Sequence, residues 1–202
     1  MNVNSLVPMV IESDSRGERA MDIFSMLLRN RTIFLNGQVT DQAVSSLIAQ
    51  IFYLNYENDT KPIHFYINSQ GGSVLAGLGL YDCILASKSP IYTYGVSLCA
   101  SMGSFLLMSG EPNHRYALPN STIMIHQIAQ HGGGGGKLND MEINLEEMRR
   151  LNDLLTQKYV KHCGFKGKDY NYFKETMRHD YWMTPEQALE IGLIDQITPA
   201  LR

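Results

Sequence analysis

Charge is scarce in this chain: 18% of its 202 residues are charged and the net charge is −3. No basic stripe is present to neutralise phosphates, so nucleic-acid binding is not expected. Cysteine is scarce too. Cys83, Cys99 and Cys163 cannot all pair and none sits in a C-x-x-C, which excludes a disulfide framework or zinc cluster and points to a reducing compartment. No run approaches the ~18 apolar residues a membrane span needs. Met1 to Asp14 also lacks a basic stretch leading into a long apolar one, so no secretory signal is expected and a cytoplasmic location follows. What is present is a 44% hydrophobic chain, enough to build one domain over residues 1–202. So low a charge also implies that some surface is covered in an assembly.

The pattern along the chain alternates strands with helices. Residues 18–29 carry Ala20, Ile23, Phe24, Leu27 and Leu28 at helical spacing. Thr32–Leu35 reads as a strand ending at Asn36-Gly37. Thr40 opens a helix whose apolar positions run through Ala43, Leu47, Ile48, Ile51 and Leu54. Ile63–Asn68 is a strand, and Gly71-Gly72 leads into a helix over 73–87. A strand over 90–96 precedes a helix from about Ser101 to Ser109, and two short strands follow, ending at Leu118 and His126. This repetition predicts an α/β fold with a parallel sheet. Gly132 to Gly136 form the one low-complexity tract. From Leu138 an amphipathic helix of about 25 residues is expected, longer than the core requires, and so projecting towards a neighbouring chain. A shorter helical segment over 164–180, a helix opened by Pro185 and a strand over 193–197 complete the reading.

Three features bear on chemistry. Ser101 follows a strand and opens a helix, with the small residues Ala100 and Gly103 around it. Unpaired N–H groups at a helix start favour an oxyanion there, although a serine capping a buried helix fits equally well. Gly71-Gly72 lets the backbone approach a ligand, so the N–H groups of Gly72 and Met102 are candidate oxyanion donors. His126 ends a strand at the crevice edge where α/β sheets bind ligands, and could take the Ser101 proton. His64, His114, His131, His162 and His179 read as packing or surface residues. An acid is needed to orient His126. Asp140, Asp153, Asp169, Asp180 and Asp195 all follow it, with Asp180 attractive because Tyr181-Trp182-Met183 would bury it.

Those residues carry a resemblance. Leu6-Val7-Pro8, Arg16–Ala20, Tyr66–Ser69, Gly71-Gly72, Ala100–Gly103, Met124–Gln127 and His179–Met183 together resemble the proteolytic subunit of the Clp (caseinolytic) protease family over nearly the whole length. The resemblance implies a crotonase-like fold of repeated ββα units with a projecting handle helix. It also implies a Ser-His-Asp triad at Ser101, His126 and Asp180, oxyanion donors at Gly72 and Met102, and no metal or other cofactor. Residues 1–18 would form an axial segment and about 127–162 a handle region. Heptameric rings stacked as a tetradecamer would enclose the sites, and an AAA+ unfoldase docking at a pocket with Tyr66 and Tyr116 would supply unfolded proteins.

Departures from the family pattern are specific. Gln70 and Ile128 stand where it has proline, Ser97 where it has glycine, and His179 where it has arginine. Gln130 to Gly136 replace a glycine-and-glutamine strand, and His64, Ala86 and Thr198 replace aromatic or aliphatic pocket positions. They imply a divergent paralogue in a mixed ring with a second paralogue and an altered unfoldase contact. Two other readings are a regulatory or structural ring subunit with dormant activity, and an acyl-CoA enzyme sharing the fold.

Overall fold

A computed structural model describes residues 7–14, 17–129 and 136–198. Strands β1 (Met9–Asp14) and β2 (Gly17–Asp22) pair antiparallel, with Ile11 opposite Ala20. The helix expected from residue 18 therefore begins later, as α1 (Ile23–Arg29). Asp22 sets that boundary: its carboxylate accepts from the N–H groups of Phe24 and Ser25, both at 3.0 Å. Residues 1–6 and 15–16 of the expected axial segment lie outside the described residues, as do Gln130 to Gly135 of the glycine tract and handle region.

The main sheet collects β3 (Thr32–Val39), β4 (Ile63–Gly72), β5 (Ile91–Ala100), β6 (Arg115–Ala117) and β9 (Gln196–Ile197), in that order and all parallel. β7 (Thr122–Ile125) pairs parallel with the far half of β5, and β8 (Tyr181–Met183) pairs antiparallel with β7. Connecting helices are α2 (Asp41–Glu57), capped by Thr40, and α3 (Val74–Ala86), capped by Ser73. They are joined by α4 (Met102–Met108), α5 (Leu138–Cys163), α6 (Tyr170–Thr176) and α7 (Pro185–Glu190). The architecture is thus α/β with a mostly parallel sheet, as the alternating pattern predicts. β3 does not stop at Asn36-Gly37. Gly37 takes a φ of 88° where β4 advances three residues against two on β3, and the strand resumes to Val39.

Alternation along the strands builds two faces. Ile63, Phe65 and Ile67 join the core with Leu54, Leu80, Tyr81, Phe105 and Phe173. The intervening residues build a ladder on the other face: Phe34, Tyr66, Tyr94 and Tyr116 lie opposite one another, their rings stacked at 5.5, 4.5 and 5.0 Å.

The long helix α5 has 26 residues, and none is buried before Leu151. From there Leu151, Leu155, Tyr159 and Cys163 recur every fourth residue and seat its second half on the core. The first half extends beyond that contact with Leu138, Ile143 and Leu145 exposed, as a handle would.

Two polar contacts cluster at the far end of α5, where Arg115 Nη1 donates to the His162 carbonyl at 3.3 Å. Arg115 on β6 is 3% exposed and meets the Asp195 carboxylate through Nε at 2.8 Å, while its backbone N–H donates to the same carboxylate at 3.1 Å. Removing one partner leaves the other charge buried. Asp195→Ala is therefore expected to cost about 3–5 kcal/mol, read from the urea midpoint at constant m-value. His162 Nε2 is hydrogen-bonded to the Tyr81 hydroxyl at 2.9 Å. Burial first, then the charges of Arg115, Lys161 and Lys158, lowers its pKa to about 4.

The unfolded imidazole titrates near pH 6.5, so the unfolded chain takes up the proton first as pH falls. Stability contributed by the neutral ring is complete above pH 6.5 and is lost between there and pH 4. With allowance for solvent reaching the ring, the loss is about 2 kcal/mol, and His162→Gln is expected to remove it from denaturation curves compared at pH 7 and pH 4.

Candidate active site

Strand topology brings three side chains to one edge of the sheet. β5 and β7 run parallel and end together, with Ala100 opposite Met124, so Ser101 and His126 emerge side by side. β8 runs back along β7 with Tyr181 opposite Ile125, which returns Asp180 to the same end. His126 Nε2 lies 2.8 Å from Ser101 Oγ, and His126 Nδ1 lies 3.5 Å from Asp180 Oδ1. An imidazole at that distance from a hydroxyl can take its proton as the oxygen attacks a carbonyl.

Asp180 is not buried as expected. Its side chain is 58% exposed, because Trp182 on β8 faces outward and Met183 supplies the strand's core contact. The other aspartates are engaged elsewhere. Asp153 accepts from Tyr170, Asp169 caps α6 and Asp195 meets Arg115, while Asp140 lies exposed in the first turn of α5. The remaining described histidines likewise have other contacts: His64 with Tyr94, His114 with Tyr116 and His162 with Tyr81. His179 is exposed, and His131 lies outside the described residues.

Ser101 is held in an unusual backbone conformation, with φ 55° and ψ −123°. Such a conformation costs on the order of 1–3 kcal/mol in a non-glycine residue. Its N–H donates to the Met124 carbonyl at 2.9 Å, which locks the turn onto β7. Close packing explains the small neighbours. A Cβ on Gly71 would come 2.6 Å from the Ser101 Cβ, and one on Gly103 would come 2.6 Å from the Ser69 carbonyl oxygen. Cys99, two residues before Ser101, is no rival nucleophile. It is fully buried, its thiol donates to the Ile67 carbonyl, and burial pushes its pKa up to about 12.

Ser101 and His126 open on a cleft of about 740 Å³. Gly72 and Met102, the candidate oxyanion donors, line it along with Gln70, Phe105 and Leu155. Among the described residues, no group of three or more His, Cys, Asp or Glu could hold a metal ion. No described helix is long and apolar enough to cross a membrane.

The residues that replace family prolines and glycine have distinct settings. Ser97 adopts the left-handed φ of 65° where β4 advances two residues and β5 advances four, so it carries a bulge suited to glycine. Ile128 packs against the core and its N–H donates to Asn152 on α5. Tyr66 and Tyr116 are both buried in the aromatic ladder, away from the cleft. A separate groove of about 350 Å³ is lined by Leu27, Phe34, Tyr66 and Val96, whereas Tyr116 lies two rings further along the ladder.

Sequence reasoning passed over β8, the strand that delivers Asp180. Its signal was the β-prone run Tyr181-Trp182-Met183 between Asp180 and Thr184-Pro185. A model of the Clp protease family matches residues 15–200.

Proposed function

The chain belongs to the Clp protease family, a family of peptidases, and on that premise we propose that it is a serine endopeptidase using Ser101, His126 and Asp180. The observation that carries this reading is the 2.8 Å contact between His126 Nε2 and Ser101 Oγ. In the proposed reaction Ser101 Oγ attacks the peptide carbonyl while its proton passes to His126 Nε2. Asp180 faces the Nδ1 side, orients the ring and stabilises the imidazolium that forms. The backbone N–H groups of Gly72 and Met102 receive the developing oxyanion. His126 then returns the proton to the leaving amine, and the peptide bond breaks. Water, deprotonated by the same histidine, attacks the acyl-serine and frees the carboxyl product and Ser101.

Members of this family generally form rings and work with AAA+ partners. The proposal extends to this chain a heptameric ring, stacked as a tetradecamer, that degrades unfolded proteins in the cytoplasm. The exposed first half of α5 offers apolar surface for ring contacts. Tyr66 and Tyr116 are proposed for the unfoldase-docking face, with the groove at Tyr66 as its deepest part. One observation favours the second reading, a ring subunit dormant until it meets a second paralogue. Asp180 is exposed and lies beyond normal hydrogen-bond distance from His126, so a partner surface that covers it would strengthen the contact.

A fluorophosphonate probe, which phosphonylates an activated serine with loss of fluoride, tests the proposal, with the labelled residue mapped by mass spectrometry. Labelling of Ser101 in the protein alone supports the endopeptidase. Labelling that requires an added paralogue supports the dormant subunit, and absence of label in both settings overturns the nucleophile assignment.

A further inference from the structure

Beneath Ser101 a short polar chain is buried in the core. Ser104 on α4 is 0% exposed, and its Oγ lies 2.7 Å from both the Ser101 and the Met124 carbonyl oxygens. Those carbonyls belong to the two segments whose spacing sets the site: the nucleophile itself, and β7 two residues before His126. A hydroxyl has one proton, which Ser104 divides between the two carbonyls, leaving its lone pairs to accept. The phenol of Tyr159, on α5, stands 3.4 Å from that oxygen and is 3% exposed. With the serine proton directed at the carbonyls, the tyrosine is the donor. Burial raises its pKa above the ordinary tyrosine range, so the proton stays on it. The ring is itself fixed, edge-on to Phe105 at 5.7 Å and stacked with Phe173 at 5.6 Å.

We infer that Ser104 and Tyr159 are positioning residues, and that through them the seating of α5 holds Ser101 at attack distance from His126. The inference rests on the serine peptidase reading. Its physical basis is how few contacts join these segments besides the Ser101 N–H bond to the Met124 carbonyl. β7 has four residues and meets β5 through three pairs, while Ser101 sits in a costly conformation. A buried hydroxyl bridging both carbonyls resists the relaxation of either segment. The phenol on α5 faces the lone-pair side of that hydroxyl across a long 3.4 Å contact and biases its orientation.

The test compares Tyr159→Phe, Ser104→Ala and the double variant in full-length protein. Tyr81→Phe is the control, a buried phenol whose hydroxyl serves His162 instead. Readouts are kcat and KM on a fluorogenic peptide, the rate constant for fluorophosphonate labelling of Ser101, and Tm. Tyr159→Phe is expected to lower kcat and the labelling rate together by about 3- to 10-fold, and Ser104→Ala by about 10- to 30-fold, with KM within about twofold. The double variant should match Ser104→Ala alone, because both act through one chain. Tyr81→Phe should lower Tm and leave kcat unchanged.

Wild-type rates in Tyr159→Phe, or additive losses in the double variant, would overturn the inference while wild-type labelling keeps the peptidase reading. Should Ser104→Ala fail to fold, the kcat and labelling rate of Tyr159→Phe against Tyr81→Phe decide it. A wild-type protein that is never labelled at Ser101 removes the peptidase reading and this inference with it.

Discussion

Replacing Ser101 with alanine is expected to lower kcat for peptide hydrolysis by about 10⁴- to 10⁶-fold while leaving the fold intact. The substitution deletes one oxygen from a half-buried side chain, so no cavity of consequence opens. His126→Ala should fall to a similar floor, because the serine hydroxyl is a poor nucleophile without the base that takes its proton. The double variant should then be no worse than either single one, since the pair acts as a unit. Asp180→Ala should cost less than either. Its carboxylate is 58% exposed and 3.5 Å from Nδ1, where water screens its field. The check is a steady-state assay on a fluorogenic peptide, with circular dichroism and ring assembly monitored alongside. Activity in Ser101→Ala within tenfold of wild type would sink the nucleophile assignment. A ranking in which Asp180→Ala is the most damaging would show that the carboxylate does more than orient the ring.

How much of this was legible in the sequence depended on whether the signal was local. The N-cap Thr40 and the helix over 73–87 were readable because such signals depend on residues three or four apart. Ser101, Gly72 and His126 were readable as candidates for a related reason: each lies where a strand passes into its connection. The choice of Asp180 over Asp195 was not. It depends on the pairing of β8 with β7 across more than fifty residues, and on Arg115 claiming Asp195 from another strand. The β1–β2 pair was missed because Ala20, Ile23, Phe24 and Leu27 mimic helical spacing, whereas the residues up to Asp22 are spent on pairing with β1. The Asp22 cap could have been seen, since an aspartate just before an apolar run is a start signal. Burial of Asp180 was misjudged because a three-residue strand faces two ways, and Trp182 takes the outward one. Ser104 and Tyr159 carry no local signal at all. A serine inside an apolar helix and a tyrosine on the stripe of a long one read as core until the fold brings them together.

Gly72 offers the sharpest separation of backbone geometry from side-chain chemistry. It has a φ of 153°, and a Cβ there would lie 2.3 Å from the Val39 carbonyl oxygen and 2.9 Å from the Val39 nitrogen. Both contacts are with backbone, so no rotamer change can relieve them. That same carbonyl accepts the Ser73 N–H at 2.9 Å, which joins the end of β4 to β3 at the start of α3. Gly72→Ala must therefore push β4 away from β3 and shift the Gly72 N–H, the proposed oxyanion donor. The expected result is a loss of about 10²- to 10³-fold in kcat, the usual cost of one oxyanion donor, with a fall in Tm besides. Gly79→Ala is the counterpart, because nothing lies within 4 Å of its added Cβ and it sits inside α3. That change should stabilise the protein by about 0.5–1 kcal/mol through lower chain entropy and leave kcat alone. If Gly72→Ala loses stability yet keeps kcat within a few-fold of wild type, the Gly72 N–H is not an oxyanion donor. Met102 would then have to receive the charge with a different partner.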